Sequence, residues 1–222
     1  MADTYQLERV DSALSLKDKA YAAIKEAILS LRFEPGMLLV ESDLAQQLGI
    51  SKTPVRDALQ VLEREGFVSR VLFKGTYVTE PTATDIREIF QLRAILEGFA
   101  ARLAATSLTE VELADIDRRL TLAEAALAEG NLALCSSFGQ VIHDRLLDKA
   151  GNQRLISITH NLDDHVKRLR VLSDRISGRL DKSVVEHRRV QAALSRHDPA
   201  GAEQAMRDHL LSVIQDLCAP GE

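Results

Sequence analysis

A mainly α-helical chain in two parts is predicted: an N-terminal winged helix-turn-helix with a small β-hairpin wing, then an all-α helical bundle. Three observations carry this. Aromatic residues are only 4% of the chain while Ala, Leu, Glu and Arg are frequent, which favours helices. Two short segments with helical apolar spacing meet at Gly49, where a tight turn needs a positive φ. The β-branched, aromatic-rich stretch FVSRVLFKGTYVT at 67–79 follows them directly, and long amphipathic patterns fill the rest.

The elements follow in order. Residues 1–16 read as an N-terminal arm. A helix over about 17–32 places Ala20, Ile24, Ala27, Ile28 and Leu31 on one face, and Glu34-Pro35-Gly36 ends it. A second covers about 42–48, with Ser42 as its N-cap. A third covers about 53–65, with Thr53 as N-cap, Pro54 at its first position and Gly66 as its stop. The hairpin turns at Lys74-Gly75. The domain boundary falls near Thr79–Thr82, giving a winged domain over 17–79 and a helical domain over 80–222.

In the second part, Thr82-x-x-Asp85 has the form of a capping box, and Ile89, Leu92, Leu96, Phe99 and Leu103 then fall on one face. Thr109-x-x-Glu112 opens the next helix, whose inward face is Leu113, Ile116, Leu120 and Leu127. A helix over about 131–149 ends at Gly151-Asn152. One over about 153–175 turns Leu155, Ile158, Leu162, Val166 and Leu169 inward. Another runs over about 181–197. Asp198-Pro199 starts the last, with Met206, Leu210, Val213 and Leu217 inward. These are bundle-length helices.

Composition narrows the function. The 222 residues are 45% apolar and 27% charged, which excludes a disordered or collagen-like chain. No apolar run approaches the roughly 18 residues of a membrane span, and the acidic N-terminus lacks the apolar core of a secretory signal, so a cytoplasmic protein is expected. The two cysteines, Cys135 and Cys218, have no metal-ribbon or redox spacing. Net charge is −5, and residues 1–79 hold 10 basic against 11 acidic side chains. Nucleic-acid binding would therefore rest on a few well-placed cations rather than on a general positive field.

Such a set exists. Leu44, Leu48, Ile50, Val55, Ala58, Leu59 and Leu62 are apolar where two short helices must pack, which leaves Lys52, Thr53, Arg56 and Gln60 on the outer face of the second. A helix of this kind fits the major groove of double-stranded DNA. Arg56 suits a guanine and Gln60 an adenine, while Ser51, Thr53 and the free N–H groups at the helix start suit phosphate. Lys74 at the wing tip can reach phosphate and Gly75 lets the backbone approach a groove. The plain alternatives are a solvated helical hairpin and an ordinary turn glycine.

On these residues the chain resembles a known family. LRFEPGMLLVESDLAQQLGISKTPVRDALQVLEREGFVSRVLFKGTYV is similar to the winged domain of GntR-type bacterial transcription regulators. LRAILEGFAARLAA, IHDRLLDKAGNQRL, EHRRVQAAL and MRDHL resemble the all-helical FCD effector domain of its FadR branch. The resemblance covers about 17–217. It implies a homodimeric repressor on a pseudo-palindromic operator, relieved by a small carboxylate metabolite in the helical domain, nucleoid-associated when bound to DNA, and no enzyme. Gln60 departs from the arginine frequent in the family one turn after Arg56, and Ser42 from an arginine found in some relatives.

Three of the six histidines, His143, His187 and His209, come from three helices, each on an apolar face. One inward histidine is ordinarily a hydrogen-bonded core residue. Three together suit a divalent ion such as Zn²⁺ or Ni²⁺. The resemblance implies the same three ligands plus an aspartate four residues before the first, and that position is Gly139. Gln140 is a weak substitute, and water or an acidic effector would fill the gap. Arg93, between Leu92 and Leu96 with Glu97 at i+4, is either an exposed ion pair or, on the resemblance, an effector-binding arginine. A metal-dependent hydrolase using the three histidines is the rival reading. The chain has no HExxH, phosphate loop, GxSxG or general base at catalytic spacing. A structural helical adaptor is the third.

Overall fold

The structure, a computed structural model, describes residues 15–160 and 162–218. The arm expected over 1–16 lies outside the described residues up to position 14, and its end does not hold: Ser15 and Leu16 begin the first helix. The chain divides into two compact units between Glu80 and Pro81.

The first unit runs α1 (Leu16–Leu29), β1 (Leu38–Leu39), α2 (Glu41–Leu48), α3 (Lys52–Arg64), β2 (Val68–Val71) and β3 (Gly75–Val78). Ser15 and Asp18 close a capping box over α1. Ile24, Ile28, Leu44, Val55, Leu59, Leu62, Phe67 and Val78 form one buried cluster. Gly49 ends α2 at φ +65°, in the left-handed region that a turn this tight requires. The expected hairpin is present, and β1 adds a third antiparallel strand in the order β1-β3-β2, with Leu38 opposite Tyr77. Two residues are too short to carry an alternation signal in the sequence. Gly75 faces β1: a Cβ there would meet Leu38 Cδ1 at 2.7 Å.

Two caps differ from expectation. Val40, not Ser42, precedes α2. The Ser42 hydroxyl donates to Asp43 Oδ1 at 3.1 Å instead of capping, and Glu41 and Asp43 place negative charge in the first turn, where the helix dipole favours it. Ser51, not Thr53, precedes α3. Pro54 then stands third in the helix, still among the first residues whose N–H groups have no helical partner.

The second unit contains α4 (Ala83–Ala105), α5 (Glu110–Ala128), α6 (Leu132–Lys149), α7 (Gln153–His160), α8 (Asp163–Ser173), α9 (Arg179–Ser195) and α10 (Pro199–Leu217). The capping boxes at Thr82 and Thr109 close as expected, and Asp198 caps α10 with Pro199 at its first position. The core joins Phe90, Leu113, Ile116, Leu120, Ile142, Leu146, Leu169, Val190, Met206 and Leu210.

Two expectations fail here. Of the expected inward face of α4, Ile89, Leu92, Leu96, Phe99 and Leu103, Ile89 packs against the core, Leu96 and Leu103 are half-buried, and none belongs to the fully buried stripe. That stripe is Ile86, Phe90, Arg93, Ala94, Glu97, Gly98, Ala101 and Ala104, leaving Leu92 49% and Phe99 41% exposed. Small residues let α10 close onto α4: a Cβ on Gly98 would meet Arg207 Cγ at 2.6 Å and the Glu203 carbonyl at 3.3 Å. The expected helix over 153–175 is two helices, because Asp163 and Asp164 stabilise a fresh N-terminus, and Ile158 is exposed rather than inward.

At Gly49 a Cβ would meet nothing within 4 Å, so a substitution there carries the backbone penalty alone. Gly49→Ala is expected to destabilise the winged unit by about 1 kcal/mol and Gly49→Asn by less, read from denaturant midpoints.

Candidate DNA-reading face and histidine centre

The outer face of α3 is built by its inner one. Val55, Ala58, Leu59 and Leu62 are buried in the cluster shared with α1 and α2. The 3.6-residue repeat then leaves Ser51, Lys52, Thr53, Arg56, Asp57 and Gln60 exposed. Every α3 residue singled out in the sequence stands on this surface, and Lys74 and Gly75 are exposed at the wing. One partner was not foreseen. The Arg56 guanidinium clasps Glu41 at the start of α2, with Nη2 2.8 Å and Nε 3.1 Å from Oε2. The hydrogen bonds from Arg56 hold the Glu41 carboxyl below the usual carboxylate range. Fifteen residues separate the two, and no periodicity links them.

In the second unit α6, α9 and α10 bring His143, His187 and His209 together, all three buried. Ring centroids are 4.4–5.2 Å apart, and one ring nitrogen of each lies within 4.8 Å of the others. His143 Nε2 and His187 Nε2 are 3.0 Å apart. Two of the rings are braced from behind: His143 Nδ1 lies 2.6 Å from Glu97 Oε2, and His209 Nδ1 lies 2.8 Å from Glu186 Oε2. A carboxylate on Nδ1 draws the proton to that side and leaves an Nε2 lone pair facing the centre, the arrangement that orients histidine ligands in metal sites. Tetrahedral nitrogens about 2.0–2.1 Å from an ion stand roughly 3.3 Å apart, close to the His143–His187 spacing. The donor set therefore fits a divalent ion.

Charges around the centre are matched. Burial pushes the Glu97 carboxyl up, but Arg93 and His143 outweigh it and leave the group at about 2. Burial pulls His187 well below its ordinary value of 6.5, with the neighbouring rings adding to the effect. It also pulls His209 down to about 4, against the opposing pull of Glu186. Glu186 is itself held below its normal range, because bonds from His209, Ser212 and the buried Arg179 overcome its burial.

The three rings border a cavity of about 60 Å³, also lined by Arg93, Gly139, Gln140, Ser136 and Arg170. Arg93 does pair with Glu97, Nε to Oε1 at 2.6 Å, but the pair is buried beside the histidines rather than exposed on the surface. Gln140 does not stand in for a fourth ligand: its carbonyl accepts from Arg170 and its amide donates to Asp144 Oδ1 at 2.8 Å. Gly139 faces the centre, where a Cβ would sit 3.2 Å from His187 Cε1. The sequence reading missed Glu186, Arg170 and Arg179. A carboxylate three or four residues from no histidine on its own helix carries no local signal, and an arginine inside a bundle reads as surface.

A helix-turn-helix with a wing, in one chain with a helical domain whose cavity is bordered by three histidines and two arginines, defines a DNA-binding transcription regulator with an effector domain. Residues 16–78 match the family described as bacterial regulatory proteins, gntR family, and residues 88–212 match the FCD domain. The chain belongs to the gntR family of bacterial regulatory proteins, in the branch that carries an FCD domain. That family is one of regulators rather than enzymes. Among its relatives are the uncharacterized HTH-type transcriptional regulator YdhC of Bacillus subtilis, 28% identical over 85% of each chain, and the HTH-type transcriptional repressor RspR of Escherichia coli, 24% identical over 91% of this chain and 89% of the other. The fold is shared with a GntR regulator from Rhodococcus sp. RHA1, at TM-score 0.74, 21% identity and coverage of 93% and 99%. It is shared also with E. coli McbR/YncC, at 0.70, 24%, 93% and 98%.

The lowered histidine pKa values set a pH dependence. Unfolded imidazoles take up protons near 6.5, while burial holds native His209 down to about 4 and His187 well below its ordinary value. Between those limits the unfolded chain binds more protons, so stability falls as pH falls. The melting temperature of chelator-treated protein is expected to drop steadily from pH 6.5 towards 4, and His187→Gln should flatten that drop.

Proposed function

We propose that the chain is a homodimeric repressor that reads a pseudo-palindromic operator in double-stranded DNA through α3, in the bacterial cytoplasm and on the nucleoid when bound. A small carboxylate metabolite in the cavity of the helical domain relieves repression. The observation that carries the DNA reading is the division of α3 into a buried apolar stripe and an exposed polar one. Ser51, Lys52 and Thr53 meet phosphates and the first base edges, Arg56 pairs with a guanine and Gln60 with an adenine. Lys74 reaches a phosphate from the wing, with Gly75 beside it. Relatives named as repressors support the sign of the effect.

The homodimer is supported by α4. Leu92, Ile95 and Phe99 are exposed at spacings of three and four, a single apolar stripe suited to a second copy. Two-fold pairing would then set the half-site spacing.

His143, His187 and His209 would hold a divalent ion such as Zn²⁺ or Ni²⁺, and Arg93 and Arg170 would take an anionic ligand beside it. When bound, the ion supplies positive charge for that ligand. The effector changes operator affinity only through its unequal affinity for the two dimer arrangements.

Arg56→Ala is expected to weaken specific binding by about 1–3 kcal/mol in a mobility-shift titration, and wild-type affinity in that variant would overturn the assignment of α3. The double variant His143→Ala, His187→Ala should lose stoichiometric metal by elemental mass spectrometry. Equal metal in both proteins would refute the centre.

A further inference from the structure

The wing ends in a feature that the recognition helix does not explain. Phe73 is 98% exposed and its neighbour Leu72 76%, and among the described residues no large apolar side chain is more exposed than Phe73. Phe73 also holds φ +62°, a left-handed conformation that Gly or Asn adopts at lower cost. The turn is braced: Lys74 N–H donates to the Val71 carbonyl at 3.0 Å, and the Tyr77 hydroxyl donates to the Lys74 carbonyl at 3.3 Å. An ordinary surface turn would place polar residues here. This one combines an exposed ring and a left-handed backbone at the same position.

The charges around the tip select its partner. Residues 66–79 contain Arg70 and Lys74 and no acid, in a chain whose net charge is −5. Both cations are exposed, one on each side of the Leu72–Phe73 pair. The tip is also continuous with the α3 face. Arg56 is bonded to Glu41, and Glu41 shares a groove with Arg70, Leu72, Phe73 and Lys74. The carboxylate that borders this cationic edge is thus already occupied by the recognition helix.

We infer that Phe73, backed by Leu72, is an apolar wedge that enters the minor groove beside the site read by α3 and partly unstacks a base step there, with Arg70 and Lys74 on the flanking phosphates. The inference rests on α3 as the major-groove element. The minor groove is about 6 Å wide, wide enough for a turn apex but not for a helix. Apolar side chains inserted from such a position open base steps and bend the duplex, and the larger protein surface that the bent duplex meets offsets the lost stacking. Flexible pyrimidine–purine steps yield most easily, so the wedge adds sequence preference at a position that α3 does not touch.

The test uses full-length protein and the tightest duplex that the wild type recovers from a randomised library, with 2-aminopurine placed in turn at each step flanking the α3 footprint. Wild type should raise 2-aminopurine fluorescence at one step per half-site. Phe73→Asn tolerates the left-handed backbone but lacks the ring. It should lose that signal and weaken binding roughly tenfold, the scale of a base–aromatic contact, with the salt dependence unchanged. Lys74→Ala should instead lower the salt slope by about one. Phe73→Trp should keep both affinity and signal. Wild-type affinity and fluorescence in Phe73→Asn, or no unstacking by the wild type, would overturn the wedge. So would a change confined to the oligomeric state of Phe73→Asn in sedimentation, which would assign the tip to a second copy. Arg56→Ala on the same duplex separates the two readings: if it binds poorly while Phe73→Asn binds normally, only the wedge fails, and if both bind normally, the α3 assignment fails too.

Discussion

A carboxylate buried among helices persists only where cations and donors surround it, and Glu97 is that group in the helical domain. Its two oxygens are used in different directions, one on Arg93 and one on His143, each at 2.6 Å. This fixes the rotation of α4, because Arg93 and Glu97 must both face inward. It also fixes the ring of His143, whose far nitrogen reaches His187. A related arrangement stands on the other side of the centre, where the buried Arg179 and His209 both bond Glu186 Oε2 and the Ser212 hydroxyl donates to Oε1. Removing one partner from such a set strands the others without water, at a cost of about 3–5 kcal/mol. The cavity walls are therefore held by charge as much as by apolar packing.

That constraint explains what the sequence made legible and what it hid. Capping boxes at Thr82 and Thr109 are local, set by residues three apart, and stand as read. The α3 surface was legible for a similar reason, since one short helix separates its apolar and polar residues cleanly. α4 was not legible, because it carries two apolar stripes. The larger one, with Leu92 and Phe99, is left outward in the single chain, while the smaller one buries alanines, Gly98 and the Arg93–Glu97 pair. Periodicity ranks stripes by size of side chain and cannot say which one its own chain covers. The three histidines were found because each sits on an apolar face. Glu186, 23 residues from His209, and Glu41, 15 from Arg56, were missed because contacts between helices leave no repeat in the sequence.

The Arg56–Glu41 pair bears on how a DNA base would be selected. A guanidinium held by two carboxylate oxygens is already ordered for a partner with two acceptors, so less side-chain freedom is lost when a guanine takes their place. The exchange also has a cost. Glu41 would give up its bonds and remain a negative charge near phosphates. A base that offers only one acceptor recovers less of that cost than guanine does. If Arg56 reads a guanine as proposed, the pair would lower affinity for any sequence while widening the gap between the right base and the wrong ones, a trade of strength for discrimination.

A related trade appears at Gly139. The resemblance places an aspartate there in metal-binding relatives, and such a residue would supply one negative charge to a bound ion. Here a Cβ would press on His187, 3.2 Å away, so the ring occupies the space that side chain would need. An ion held by three neutral imidazoles keeps its full double charge. Glu97 and Glu186 lie behind the rings, committed to Nδ1 atoms and to Arg93 and Arg179. Arg170, hydrogen-bonded to the neutral amide of Gln140, adds a further positive charge on the cavity wall. The Asp174 carboxylate stands on the same wall, beside Arg170, and accepts from the Ser136 hydroxyl. On the proposed reading, an ion on the three histidines and a small acid on Arg93 and Arg170 would favour each other's binding, because each would carry the charge opposite to the other.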